Sequence, residues 1–386
     1  MIARHLAARL RASKKSVLLL GPRQTGKSTL IGALEPNLTV NLAHEPTYLD
    51  FARNPREIEE RIAPMLLRAS QPLTVLVDEV QRLPSLLDTF QVLLDREGAR
   101  LKLYLTGSSA RKLRRGHANL LPGRIHTYHL GPVTCGEFGY ALDARQALGT
   151  GTLPGVLTEP DRSTREKTLR SYAATYLKEE VQAEALTRNL EGFARFLTVA
   201  AEWAGHHLDL SKLAQAAQVP RQSAVRYFEI LEDTLIVRRA EPFTKSLSRR
   251  LVTHPKFFFF DVGVRNGLLG AFQPSADRIG GLFEQLVFSQ LAAAADARDT
   301  EIRISSYRTE HGAEVDLVVE LEGEVWALEL KASRNVSRTD FQGLRSFAQF
   351  YGKPYRAAVL YLGDIARRVD GVDVLPWQDG LKSMGL

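Results

Sequence analysis

Cysteine is nearly missing from this chain of 386 residues, where Cys135 is the one thiol. That excludes an internal disulfide and any zinc site built from cysteines, and it suits a reducing compartment. No apolar run approaches the roughly 18 residues that a membrane span needs. The start, Met1-Ile2-Ala3-Arg4-His5-Leu6, lacks the apolar core of a secretory signal. It reads instead as an amphipathic helix with Ile2, Leu6 and Leu10 on one stripe. Low-complexity tracts and repeats of fixed period are also missing. The expectation is a soluble, cytoplasmic protein with no membrane partner.

What is there is ordinary in bulk. Hydrophobic residues make up 44% and charged residues 25% of the chain, the balance of a globular protein. The length suits two or three domains with sizeable cores. A formal net charge of +7 permits nucleic acid or another anionic partner without requiring one.

One stretch is far from ordinary. Gly21-Pro22-Arg23-Gln24-Thr25-Gly26-Lys27-Ser28 is a complete phosphate-binding loop, G-x-x-x-x-G-K-S/T, in the context such a loop requires. The apolar Ser16–Leu20 before it reads as a buried parallel strand, and residues 28–34 after it read as a helix. Backbone N–H groups at the head of a helix form a concave anion site. Lys27 adds a point charge for the β- and γ-phosphates, and the Ser28 hydroxyl can ligate Mg²⁺. Gly21, Gln24, Thr25, Gly26, Lys27, Ser28 and Thr29 are therefore the candidate ATP contacts.

Leu73-Thr74-Val75-Leu76-Val77-Asp78-Glu79 is a second apolar strand, ending in two acids. Asp78 is placed to hold Mg²⁺ through water and Glu79 to polarise the attacking water as general base. A signalling GTPase does not usually need the second acid, whereas a hydrolysing motor ATPase does. The third strand, Leu101–Leu105, leads into Thr106-Gly107-Ser108-Ser109, and a polar residue there lies between the other two strand tips. Ser108, with Thr106 next, is the candidate contact to the γ-phosphate or the lytic water. Arg111, Lys112, Arg114, Arg115 and Arg124 follow. In a homo-oligomeric, for instance hexameric, ring, Arg124 on the stiff turn Leu121-Pro122-Gly123-Arg124 is the candidate arginine finger. The other reading of these arginines is a solvated or DNA-facing patch.

A flexible junction lies at Gly149–Gly155, and residues 162–203 carry helical spacing with no chemistry of their own. Residues 208–243 read as a winged helix-turn-helix: a first helix over 210–217, a turn at Gln218-Val219-Pro220, a second helix over 221–231, and a wing from Ile236. Arg221, Gln222 and Arg226 point outward there, where a recognition helix meets bases and phosphates. A purely structural, protein-docking role is the alternative. The run Phe257–Phe260 reads as a buried strand.

The C-terminal third holds a second constellation. Residues 313–320 and 324–331 form two strands about a Glu322-Gly323 hairpin turn. That register sets Asp316 across from Glu329 and Glu314 across from Lys331, all on one face. Carboxylates opposed at about 5 Å repel each other. A divalent cation would relieve the repulsion, and Lys331 beside it could position or deprotonate a water. This is the D-x(n)-E-x-K signature of restriction-endonuclease-like folds, and Glu284 on an upstream helix is placed to complete it. The alternative is a half-exposed hairpin whose polar face is merely solvated.

Taken together, the phosphate-binding loop, Val77-Asp78-Glu79, Leu105–Ser109, Phe260-Asp261-Val262-Gly263 and Glu314-Val315-Asp316 with Glu329-Leu330-Lys331 resemble a widespread prokaryotic family of AAA-type ATPases. Its members join an AAA core to a winged helix and a C-terminal endonuclease-like domain, and the resemblance spans essentially the whole chain. It implies Gly26, Lys27, Ser28, Asp78 and Glu79 as the nucleotide site, and it adds weight to the metal set Glu284, Asp316 and Glu329 with Lys331. It does not by itself imply cleavage.

The expected architecture is α/β throughout. It comprises a P-loop AAA-type core with a parallel sheet over 1–142, a helical connector over 143–206, a winged helix over 207–255 and an endonuclease-like domain over 256–386. The expected function is ATP hydrolysis coupled to remodelling of, or translocation on, branched or duplex DNA by an oligomeric motor. An ATP-gated switch or scaffold and an ATP-regulated, metal-dependent nuclease are the alternatives.

Overall fold

The structure is a computed structural model that describes residues 2–108, 121–176, 189–243 and 254–386. The chain divides into two compact units, Ala3–Gly131 with Asp233–Leu235, and Pro132–Glu232 with Ile236–Leu386. Arg111, Lys112, Arg114 and Arg115 lie outside the described residues. Among those described, no helix is long and apolar enough to cross a membrane.

The first unit is built on one sheet of β1 (Ser16–Leu20), β2 (Leu38–Asn41), β3 (Leu73–Asp78), β4 (Leu101–Gly107) and β5 (Ile125–His129), in the order β2-β3-β4-β1-β5. Every pairing in it is parallel. All of β1 is buried, which is why it reads as a continuous apolar run rather than an alternating one. On one face Val17, Leu19, Leu76 and Tyr104 meet Leu6 and Leu10 of α1 (Leu6–Ala12) and Leu30 and Ile31 of α2 (Lys27–Gly32). On the other, Leu18, Val75, Val77, Leu103 and Leu105 pack with Phe51 of α3 (Glu45–Arg53), Ile62 of α4 (Glu57–Arg68) and Phe90 of α5 (Leu86–Glu97). Two-sided helical cover leaves the strand tips as the place where polar groups can gather. Because β4 lies between β1 and β3, it brings the ends of the three motif-bearing strands side by side, as the sequence led us to expect.

The second unit opens with helices α6 (Ala144–Thr150), α7 (Pro154–Leu157), α8 (Arg162–Ser171), α9 (Leu190–Trp203), α10 (Leu210–Ala216) and α11 (Arg221–Asp233). Residues 132–142 lead into this unit, and Cys135 and Leu142 are buried in its core. Asp209 caps α10 by accepting from the Ser211 and Lys212 N–H groups. The expected turn is present as well, with Gln218 left-handed at φ 53° and the Val219 N–H donating to the Ala214 carbonyl at 3.0 Å.

After α11 come β6 (Val237–Pro242) and β7 (Lys256–Phe259), paired antiparallel with Val237 opposite Phe259. The pair is not a free-standing wing, because β6 continues into a large sheet through Glu241 and Ser305. That sheet runs β12-β13-β11-β10-β9-β8-β6-β7, with β8 (Ile302–Arg308), β9 (Glu314–Leu321), β10 (Glu324–Lys331), β11 (Arg356–Tyr361), β12 (Arg367–Val369) and β13 (Val372–Pro376). The strand expected at the phenylalanine run is β7, and all of it is buried.

The β9–β10 hairpin has the expected register, with Glu324 opposite Leu321 and Leu328 opposite Leu317. Its turn residues Glu322 and Gly323 are both left-handed, the conformation a two-residue hairpin loop requires. The alternative of a merely solvated polar face fails, because both faces are covered. Leu317, Val319 and Leu328 pack under Phe283 and Leu286 of the long helix α12 (Ile279–Arg298). Val318, Val325 and Ala327 pack under Phe341 and under Leu344 and Phe347 of α13 (Gln342–Tyr351). The alternation shows which residues share a face; it does not reveal that a helix will cover the second one.

Candidate functional site

The phosphate-binding loop leaves β1 at Leu20 and enters α2 at Lys27. Position 21 can only be glycine, because a Cβ there would stand 2.2 Å from the Leu130 carbonyl oxygen. Gln24 and Gly26 are left-handed, at φ 62° and 89°, so the loop folds back over the lysine. Lys27 is 5% exposed. Its ammonium donates to the Gly21 and Pro22 carbonyls at 2.8 and 2.9 Å, and the Thr25 hydroxyl donates to the Pro22 carbonyl at 2.9 Å. Ser28 and Thr29 stand exposed on the first turn of α2. A loop that holds an ammonium on its own carbonyls at the head of a helix fits an ATP phosphate chain. Arg4 braces the loop from outside, donating to the Thr25 carbonyl at 2.7 Å and the Gly131 carbonyl at 2.9 Å; no motif in the sequence marks it.

The two acids sit beside that loop. Asp78, buried at the end of β3, accepts from the Thr106 hydroxyl on β4. Glu79 is left-handed at φ 58° without being glycine, a conformation that persists only where surroundings enforce it. Its N–H donates to the same Thr106 hydroxyl at 3.2 Å. Thr106 thus orients both acids, while Ser108 is engaged one step further out. The link between them is Gln81, which sequence reasoning missed. Its amide nitrogen donates to the Glu79 carboxylate and, at 3.0 Å, to the Ser108 hydroxyl. Gln81 is 5% exposed, and among the described residues its amide oxygen meets no hydrogen-bond partner. Nothing in a strand-acid-acid motif signals a glutamine two residues on.

Arg124 follows the expected turn, with its N–H donating to the Leu121 carbonyl at 3.0 Å. Its guanidinium forks onto Asp95 at 2.6 and 2.8 Å, so any other contact requires leaving that pair. In the second unit Arg221, Gln222 and Arg226 are all exposed on α11, and Arg221 donates to the Ser211 hydroxyl at 3.2 Å.

The expected metal ligands do come near one another, but each is already held. The Lys256 ammonium lies 2.8 Å from Glu284 and 2.8 Å from Glu314. Lys331 lies 2.9 Å from Glu329 and 3.5 Å from Asp340, and Asp316 accepts from the Leu330 N–H at 2.7 Å. Burial, helped by the Asp316 charge and opposed by Lys256, lifts Glu284 to about 7. Burial and Asp316, opposed by Lys331, lift Glu329 to about 8. Among the described residues, no three carboxylates, histidines or cysteines gather around one point as a metal would require. As placed, the set Glu284, Asp316 and Glu329 is taken up by other partners: Lys331 on Glu329, the Leu330 N–H on Asp316 and, on Glu284, a residue outside the motif, Lys256. The sequence offered one signal for it, a lysine heading an otherwise aromatic strand.

Comparison with known proteins covers the chain in three stretches. Residues 13–139 match the profile of an AAA domain, residues 142–275 a domain of unknown function (DUF8612), and residues 279–379 a second domain of unknown function (DUF4143). The uncharacterized protein Rv2008c of Mycobacterium tuberculosis is 29% identical over 344 residues, 86% of this chain and 75% of that one. Among solved structures, RuvB of Thermotoga maritima is 18% identical with a TM-score of 0.28, covering 61% of this chain and 86% of that one. The replication initiator DnaA bound to AMPPCP and single-stranded DNA is 11% identical with a TM-score of 0.27, covering 59% and 86%. Likenesses at these scores carry no argument about this chain, whereas the AAA match falls on the stretch that holds the phosphate-binding loop and both acids.

Proposed function

We propose that this chain hydrolyses ATP in its first unit and uses the cycle to remodel DNA as a self-associated motor. The observation that carries the reading is the placement of Lys27 after β1 and of Asp78 and Glu79 at the end of β3, on either side of β4, whose Thr106 hydroxyl binds both acids. On ATP binding, Lys27 exchanges loop carbonyls for phosphate oxygens. Glu79, held by Thr106 at its backbone and by Gln81 at its carboxylate, accepts a proton from the attacking water. Mg²⁺ bound with the nucleotide would neutralise phosphate charge, with Ser28 and Asp78 to hold it. Arg124 is the residue we assign to a neighbour's γ-phosphate once it is released from Asp95.

Support for DNA as the partner comes from the net charge of +7 and from the exposed Arg221, Gln222 and Arg226 on the second helix of a helix-turn-helix, read here as part of a winged helix. The C-terminal α/β part, read as endonuclease-like, serves in this proposal to grip rather than to cut. The test is ATP turnover measured with single-stranded, duplex and four-way-junction DNA, using Lys27→Ala as the blank. Stimulation by at least one DNA is expected. Turnover indifferent to every DNA would replace the motor by an ATP-gated switch or scaffold, and no turnover above the blank would remove hydrolysis altogether.

A further inference from the structure

The carboxylate cluster of the second unit contains more than the sequence motif foretold. Lys256 opens β7, and its side chain is 6% exposed. Its backbone is pinned on two sides, by β6 through Ala240 and by a bridge to His207. Phe257, Phe258 and Phe259 beyond it are fully buried. The ammonium therefore cannot swing to solvent without unpicking a core strand. A buried lysine among aromatic rings is tolerable only when its charge is met, and here Glu284 and Glu314 each meet it at 2.8 Å.

We propose that Lys256 is the resident cation of this cluster, standing where a divalent ion would have to bind, so that the chain takes up neither Mg²⁺ nor Mn²⁺ there. The ammonium touches Glu284, the helical carboxylate of the expected metal set, and Glu314 across the hairpin from Lys331. Lys331 holds Glu329 in the same way, at 2.9 Å. A dication entering between these carboxylates meets like charge at contact distance on either side.

The experiment is a calorimetric Mn²⁺ titration of the nucleotide-free full chain, paired with thermal melts at millimolar Mn²⁺. Wild type should show no saturable uptake and no Mn²⁺-dependent rise in melting temperature. Lys256→Met should gain both, since a ligand that binds only the folded state stabilises it by mass action. Adding Asp316→Asn to that variant should abolish the gain. If Lys256→Met does not fold, Lys256→Met with Glu314→Gln removes the stranded charge and carries the same expectation. Wild-type Mn²⁺ uptake that Asp316→Asn eliminates would overturn the proposal. So would a folded Lys256 variant that still binds no metal.

Discussion

Replacing Gln81 by methionine should slow ATP turnover while leaving the fold and nucleotide affinity nearly unchanged. Methionine has similar length and flexibility, so the buried space stays filled. The variant loses two donated hydrogen bonds, to the Glu79 carboxylate and the Ser108 hydroxyl. It also loses an amide oxygen that, among the described residues, is buried without a partner. Relief of an orphaned buried polar atom, about 1–3 kcal/mol, offsets most of what the two lost hydrogen bonds contribute, so stability should fall by only about 1 kcal/mol. Turnover has no such offset. If the bond to Glu79 holds the base in line, its loss removes about 1.5–3 kcal/mol from the transition state. At 1.36 kcal/mol per decade, that lowers kcat about 10- to 150-fold. The assay is steady-state turnover beside nucleotide affinity and a thermal melt. Wild-type kcat in Gln81→Met, while Glu79→Gln is slow, would refute the positioning argument; so would a faster variant.

Lys27→Ala should abolish nucleotide binding, whereas Glu79→Gln should bind ATP and hydrolyse it about 10²- to 10⁴-fold more slowly, as loss of a general base does; wild-type turnover in the latter would remove the second acid from the mechanism. Thr106→Val keeps the shape of a fully buried side chain but strands the Asp78 carboxylate and the Glu79 N–H, so it should destabilise the first unit by roughly 1–3 kcal/mol, with Thr106→Ser restoring most of the loss in a urea titration. Mixing Arg124→Ala with Lys27→Ala subunits should recover part of the activity if Arg124 acts in trans, and a monomer by light scattering at every ATP concentration would rule that out. Asp261 is 1% exposed, and burial lifts its carboxyl to about 6 against the N–H groups of Thr152, Val264 and Gly263. The folded state therefore holds this proton more tightly than the unfolded chain, a stabilisation complete below the unfolded value and lost as pH rises through about 6. Over the two units between those values it amounts to about 3 kcal/mol, and in chemical melts from pH 4 to 7 Asp261→Asn should flatten the slope by that amount.

Much of the candidate site's layout was legible because its motifs are local. A phosphate-binding loop, an acid pair at a strand end and a polar third strand each announce themselves within a few residues, and parallel topology does the rest. The hairpin register was legible for the same reason, since Glu322-Gly323 fixes it and period two carries it along both strands. What failed to show in the sequence arrives from a distance. Gln81 acts by turning back through a single turn of 3-10 helix (Val80–Arg82) onto its neighbour Glu79, a fold no spacing rule encodes. Lys256 reaches Glu284 and Glu314 only because β6 places β7 at the sheet edge beside α12. Cover of the second hairpin face likewise depends on α13, which lies beyond the hairpin in the chain.

The two buried lysines show how similar burial yields different function. Lys27 rests on carbonyl dipoles of its own loop. A carbonyl dipole holds an ammonium less tightly than a carboxylate does, so these two bonds exchange for phosphate oxygens at little reorganisation. Lys256 rests on two full carboxylates, which neutralise it and oppose its release, because breaking a buried ion pair leaves an uncompensated charge behind. The first arrangement suits a site that must bind and discharge an anion each cycle. The second suits an element that holds its shape. On this reasoning a bound nucleotide should alter the surroundings of Lys27 and of the Arg124–Asp95 fork and leave the carboxylate cluster around Lys256 unchanged. Hydrogen exchange with and without a slowly hydrolysed ATP analogue can test this. Protection should change around residues 21–28 and 121–124 and stay constant along β7 and β9, and a nucleotide-dependent change at Lys256 or Glu314 would overturn the distinction.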